Sequence, residues 1–169
     1  MMKLIFDPMK AVEILLYIAE RVPNLYHALK IMYFADKAHL SEYGRLVSGD
    51  HYIAMRLGPV PSGTYDIVKF VRGDGIFTFD ESIKEAFTVK GRNTIEPKRR
   101  PDLDTLSESE MECLDASISE YGNMSMTRLK KASHDAAYEA ADENEDISLE
   151  SIITTLPNGT EVLAYMRDE

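Results

Sequence analysis

The sequence predicts an α+β fold that is mainly α. Three observations carry this. A long helical run, about residues 25–43, is apolar on almost every side, as a helix buried inside a domain must be. Short stretches of alternating or β-branched character, about 51–56, 76–79 and 86–96, lie between glycine- and proline-rich breaks. The last third is a succession of short helical segments, each opened by a serine or aspartate suited to capping. A chain of 169 residues suits one domain, 1–169, with a helical core around residues 25–43 and one small antiparallel sheet.

The first helix starts at Asp7-Pro8, where aspartate caps and proline takes the first helical position, and runs to about Glu20. Asn24 caps the central helix, whose apolar residues include Leu25, Leu29, Ile31, Met32, Phe34 and Leu40. Gly44 suits its C-terminal turn. Within this helix Tyr26, Lys30, Tyr33, Lys37 and Ser41 recur at steps of four, three, four and four, which sets them along one side. Two readings stand beside each other: a partner-binding stripe, or the margin of the core with lysine stems on apolar surface and ammonium groups in water.

His51 to Arg56 alternates as a strand, and Gly58-Pro59-Val60-Pro61 is expected to stop it, because proline lacks the donor N–H. Ser62 is a candidate cap for a third helix, Gly63 to Val71. Ile76 to Phe79 is read as a short strand after the Gly73-Asp74-Gly75 turn. Phe87–Val89 and Thr94–Glu96 flank Lys90-Gly91-Arg92-Asn93 as a hairpin, with which the strand near His51 is expected to pair. Ser107 and Glu110 have capping-box spacing ahead of Met111, Leu114 and Ile118. Ser125 and Ser148 cap later helices, and a last helical turn covers Glu161 to Met166.

Charge is unevenly placed. Residues 1–100 carry 15 Lys and Arg against 12 Asp and Glu, a net +3; residues 101–169 carry 4 against 17, a net −13. The acidic half disfavours a nucleic-acid partner, whose backbone it repels. No apolar run approaches the roughly 20 residues that span a bilayer, so no membrane partner is expected. The absence of a signal-like start and the single cysteine, Cys113, fit a reducing cytoplasm.

Catalytic chemistry finds little support. No phosphate-binding glycine loop, dinucleotide fingerprint or nucleophile elbow is present. His39 follows Asp36 by three residues, but no second ligand completes a metal motif, so neither metal nor cofactor is expected. Ser133-His134-Asp135 names the three types of a triad, yet adjacent residues do not form triad geometry. An enzyme, hydrolytic or metal-dependent, would need Asp36, His39 and His134 to converge.

The run Leu29-Lys30-Ile31-Met32-Tyr33-Phe34-Ala35, then His39-Leu40, Tyr43-Gly44-Arg45 and Arg56-Leu57-Gly58-Pro59-Val60-Pro61-Ser62 with Tyr65 following, resembles the Panacea domain family of SocA-like antitoxins and phage-associated proteins. Ser107, Glu110, Tyr121-Gly122, Ser125, Leu129 and Ser133-His134 continue the likeness, which covers nearly the whole chain, from the first helix to about Ile153. The chain departs from the family pattern in three places: leucine replaces an aromatic at Leu57, the Gly-Pro-Val-Pro block is one residue shorter, and Ala137-Tyr138 stands where Pro-Trp is usual.

The resemblance implies an antitoxin that binds and neutralises a co-encoded protein toxin, with delivery to a ClpXP-type protease in the SocA-like case, and no enzymatic activity. A phage or prophage accessory protein working as a homo-oligomer without a toxin is the alternative. Of the family-matching residues, Phe34, His39, Tyr43, Gly44, Gly58, Pro59, Pro61, Tyr65 and His134 read as structural. Partner contact is assigned to the stripe Tyr26, Lys30, Tyr33 and Lys37, or to the acidic Asp142, Glu143, Glu145 and Asp146, which would complement a basic toxin and speed its association.

Overall fold

In the computed structural model, which describes residues 4–168, the helix at the centre is α2 (Leu25–Tyr43). Leu25, Leu29, Ile31, Met32, Ala35 and Leu40 are all buried, and two apolar clusters meet on this helix. One cluster joins it to α1 (Pro8–Ala19), α3 (Ser62–Arg72) and α4 (Glu108–Tyr121). The other joins it to a small sheet and to α7 (Leu149–Thr154) and α8 (Gly159–Arg167). Each large side chain so buried contributes roughly 1.5–3 kcal/mol. The fold is α+β and mainly α, as the pattern predicts.

Most caps form as the sequence indicates. Asp7 accepts from the Met9 N–H at 3.0 Å with Pro8 in the first turn. Asn24 accepts from the His27 N–H, and Gly44 closes α2 in the left-handed region at φ 75°. Ser107 and Glu110 form the reciprocal capping box of α4. Ser125 opens α5 (Met126–Ser133), and Asp135 opens α6 (Ala136–Ala140).

The β structure differs from expectation in three respects. First, Gly58–Pro61 does not end the sheet but forms strand β2, antiparallel to β1 (Tyr52–Met55), with Ile53 opposite Val60 and Met55 opposite Gly58. β2 is an edge strand, and alternate residues of an edge strand aim their N–H outward, where proline forfeits no ladder bond. Second, β1 does not pair with the hairpin β3 (Phe87–Lys90) and β4 (Thr94–Pro97). Its other neighbour is β5 (Asp146–Ile147), and β3–β4 form a separate two-stranded sheet. The hairpin docks instead on the α1–α2 connection, through Ile95 N–H to the Pro23 carbonyl at 2.8 Å and Leu25 N–H to the Asn93 carbonyl at 2.7 Å. Third, residues 76–79 form no strand. Ile76 is 87% exposed and Phe77 54%, leaving the segment without the buried face a strand needs.

The cap of α3 is also reassigned. Ser62 lies inside that helix, and no side chain of the neighbouring residue caps it. Asp50, thirteen residues upstream, accepts from the Gly63 and Thr64 N–H groups at 2.9 and 2.8 Å and from the Thr64 hydroxyl at 2.8 Å. A buried carboxylate brought by the preceding loop thus does the work of a local cap.

Candidate functional site

The Tyr/Lys side of α2 is a seam. Tyr26 donates its hydroxyl to the Leu57 carbonyl at 2.8 Å, and Lys30 Nζ donates to the Pro59 carbonyl at 2.9 Å, so both hold the β1–β2 turn. Tyr33 and Lys37 both donate to Asp135 Oδ2, at 2.7 and 2.8 Å, and so hold the α5–α6 junction. Ser41 bonds Asn158 ahead of α8. Lys30 is 1% exposed, so its ammonium does not reach water as a marginal lysine's would. Burial lowers its pKa to about 7. Its Nζ lies 4.7 Å from the centre of the Tyr26 ring. Burial also drives the Tyr33 hydroxyl far above its ordinary range, with the Asp135 charge adding to it. At Asp135 burial works to raise the pKa, but the Lys37, Tyr33 and Tyr138 N–H bonds outweigh it and hold the carboxyl below its usual value.

Beside this seam lies a cavity of about 350 Å³. Leu25, Tyr26, Leu29 and Lys30 of α2 form one wall, and Met55, Arg56, Leu57 and Val60 of the β1–β2 hairpin form the other. Tyr65 of α3 and Asn93 of the β3–β4 turn complete its lining. A second cavity of about 290 Å³ shares Met55, Val60 and Tyr65 with the first and continues to Ile53, Phe77 and Asn144. The register explains the continuity. Ile53, Met55 and Val60 share one face of the sheet, on which Val60 is buried in the α1–α3–α4 cluster with Met55 packed against it, while Tyr52, Ala54 and Ile147 on the other face fill the second cluster.

Asn144 belongs to the acidic turn. Asp142, Glu143, Glu145 and Asp146 are all exposed around it. The turn is tied to β1 by Asn144 N–H to the Ala54 carbonyl at 2.7 Å and Ala54 N–H to the Glu145 carbonyl at 3.0 Å, with Asn144 itself at φ 65°. The acidic turn therefore borders the second cavity.

Residues 29–139 match the family model described as "Antitoxin SocA-like, Panacea domain". The chain belongs to this family. The Panacea match starts within α2 and ends in α6, a narrower span than the stretch from the first helix to Ile153 that the residue pattern suggests. It contains the α2 wall from Leu29 onward, the β1–β2 hairpin and α3, but not the acidic turn, α7 or α8. No curated protein and no solved structure matches the chain. The family description points to an antitoxin role and to a protein partner.

Within the Panacea domain each motif residue has the following contacts. Phe34 stacks on Tyr121 with ring centres 3.9 Å apart, joining α2 to α4. His39 Nδ1 faces the Arg45 carbonyl at 2.8 Å and Nε2 faces Ser109 Oγ at 2.9 Å, bridging the end of α2 to the start of α4. Tyr43 lies half-exposed against the His39 ring. Gly58 stands at φ 122°, and a Cβ there would sit 2.8 Å from both Lys30 Cε and Ser133 Oγ. Pro59 supplies the carbonyl for Lys30, and Pro61 immediately precedes α3. Tyr65 lies beneath Lys69 Nζ, 4.9 Å from its ring centre. His134 packs on Tyr138 at 4.1 Å, and its buried Nε2 has no hydrogen-bond partner among the described residues. Burial and Lys130 lower its pKa.

Asp36, His39 and His134 have separate partners. Asp36 accepts from Val47 N–H, Ser48 N–H, the Ser48 hydroxyl and the Tyr52 hydroxyl at 2.6–2.9 Å, whereas His39 faces the Arg45 carbonyl and Ser109 Oγ. Among the described residues no group of three or more His, Cys, Asp or Glu side chains can hold a metal ion, and no helix is long and apolar enough to cross a membrane. Reading the sequence alone misses Asp36, Asp50 and Glu110 as buried carboxylates, and Ile53, Met55 and Val60 as a cavity wall. The wall has a signal in sequence, the period-2 pairing of Ile53 with Met55; the carboxylates have none, because their partners are distant in the chain.

Proposed function

We infer that this chain is an antitoxin that neutralises a co-encoded protein toxin by direct binding rather than by catalysis. The observation that carries the reading is the match to the SocA-like Panacea family over residues 29–139, which include most of α2, the β1–β2 hairpin and α3. Cavities lined by apolar side chains of the β1–β2 hairpin suit a protein that works by holding another. The exposed acidic turn beside them suits a basic partner, for which it would raise the association rate more than the affinity.

The test is co-expression with the product of the adjacent gene. Growth arrest by that product alone, relieved by this chain, together with recovery of both proteins as one complex, is the expected result. Relief of arrest without a complex would defeat the direct-binding reading. The SocA-like description extends the proposal to delivery of the bound toxin to a ClpXP-type protease. In that case the toxin's half-life shortens when this chain is present and returns to normal in cells lacking the protease; an unchanged half-life leaves binding alone as the mechanism.

A further inference from the structure

We propose that the β1–β2 turn, residues 55–59, is a proton-governed latch: it lies closed on α2 and the α5–α6 junction while Lys30 and His134 are uncharged, and it lifts when they take up protons. The device belongs to the chain by itself and does not rest on the antitoxin reading.

The latch is made of backbone carbonyls and the side chains that reach them from behind. Three alternate carbonyls of the turn are each held by a different side chain: Met55 by the Tyr138 hydroxyl at 2.6 Å, Leu57 by the Tyr26 hydroxyl at 2.8 Å and Pro59 by Lys30 Nζ at 2.9 Å. His134 also lies against the Leu57 backbone. The fit is closest at Gly58, which is buried at φ 122° with Lys30 Cε and Ser133 Oγ each 2.8 Å from where a Cβ would stand. On its other side the turn meets water, since Arg56 and Leu57 are exposed. Tyr52 and Val60 anchor the two strands in separate core clusters, so movement is confined to the tip that Met55 and Gly58 close.

Charge is what this arrangement does not support. Lys30 is 1% exposed, and its one hydrogen-bond acceptor is the Pro59 carbonyl. An ammonium adds donors whose only further partner is the Tyr26 ring face, 4.7 Å away, and no carboxylate pairs with it among the described residues. A buried charge is tolerated only when paired and hydrogen-bonded. An imidazolium donates from both nitrogens, and the buried Nε2 of His134 has no partner among the described residues.

The surrounding groups do not compensate. Tyr26 on α2, Tyr65 on α3 and Tyr138 on α6 are phenols, Arg56 on the turn and Lys130 on α5 are cations, and Asp135 is committed to Tyr33 and Lys37. Glu139 favours charge on His134 but is exposed, and charge on Lys30 opposes it. Burial accordingly holds Lys30 at about 7 and His134 below its ordinary value in the closed turn. In the lifted turn water reaches both, and Lys30 returns to its ordinary 10.5. Closing therefore releases a proton between these values, and the open fraction rises about tenfold for each unit that pH falls through that window. His134 extends the rise below pH 6.5. Lifting also withdraws Met55, Arg56 and Leu57 from the wall of the cavity of about 350 Å³, so the same protons govern its hairpin side.

The test is amide hydrogen exchange of the full chain, read by NMR at pH 7, 7.5, 8 and 8.5 and divided by the intrinsic rate at each pH, so that it reports the opening equilibrium. Met55 and Gly58 are expected to open at least about tenfold more than Ile53 and Val60, which marks a local event. That opening is expected to be about fivefold or more greater at pH 7.5 than at pH 8.5. In Lys30→Met the slope should vanish, while His134→Gln should keep it in this range. In the unaltered protein, a carbon-detected lysine titration should show one amine losing its proton near pH 7; ordinary titration of every lysine would overturn the latch without recourse to a variant. Exchange at Met55 and Gly58 that is independent of pH, that matches the Ile53 and Val60 openings, or whose slope survives Lys30→Met overturns it as well.

Discussion

Glu110 is the residue whose removal tests the packing logic most directly. Its side chain is buried, yet it is ionised by three partners from different parts of the chain. Lys10 Nζ of α1 and Arg45 Nη1 after α2 each donate to its Oε2 at 2.6 Å, and the Ser107 N–H donates to Oε1 at 2.8 Å. Burial works to raise its pKa, but the Lys10 and Arg45 bonds and the Ser107 N–H outweigh it and bring the carboxyl down to about 2, against an ordinary 4.5. That difference is worth about 3 kcal/mol of folding stability, an upper figure because Lys10 and Arg45 are partly solvated. The sign follows from a depressed carboxyl: the contribution is complete well above pH 4.5 and is lost as pH falls through about 2. Glu110→Gln keeps the shape and removes the charge. In urea unfolding it should cost about 3 kcal/mol at pH 7 and roughly half of that or less at pH 3. A loss under about 1 kcal/mol at pH 7, or one that does not shrink with acid, would refute the account.

Three further outcomes follow from the seam and hairpin. Gly58→Ala adds a Cβ at positive φ, 2.8 Å from Lys30 Cε and Ser133 Oγ, and should destabilise by about 2 kcal/mol or more in thermal melts; a neutral substitution would show that the hairpin yields at no cost. Lys30 is held at about 7 in the fold against 10.5, so the unfolded chain binds more protons between those values and stability rises with pH across that window. Lys30→Met should remove this rise, read by urea unfolding at pH 6, 7.5 and 9, and an unchanged slope would place its origin elsewhere. Asp135→Ala takes away the α6 cap and the partner of both Tyr33 and Lys37, and should cost about 2–4 kcal/mol in the same assay. Retained stability there would mean that water replaces the carboxylate fully.

The helices were legible because their signals are local. Pro8, Asn24, Gly44 and the Ser107–Glu110 box act within one turn of the backbone they cap, so residue type and spacing suffice to find them. Strand pairing was less legible because it is decided between distant segments. Gly58-Pro59-Val60-Pro61 reads as a break and folds as an edge strand, since the cost of proline depends on which side of the strand has a neighbour. Ile76–Phe79 has the composition of a strand but gains no partner edge. The Tyr/Lys stripe was found by periodicity, yet periodicity cannot say what stands opposite: here it is the Leu57 and Pro59 carbonyls and Asp135 rather than solvent.

The α+β class, the buried central helix, most of the caps and the family can be read without coordinates, because they rest on short-range chemistry or on the order of motifs along the chain. The tertiary structure alone decided that Asp36, Asp50 and Glu110 are buried anchors, because a carboxylate is tolerated there only when donors from remote segments converge on it. It also decided that Ile53, Met55, Val60 and Tyr65 line one cavity with Asn144 of the acidic turn. A cavity is the space left between elements, and no stretch of sequence encodes it alone.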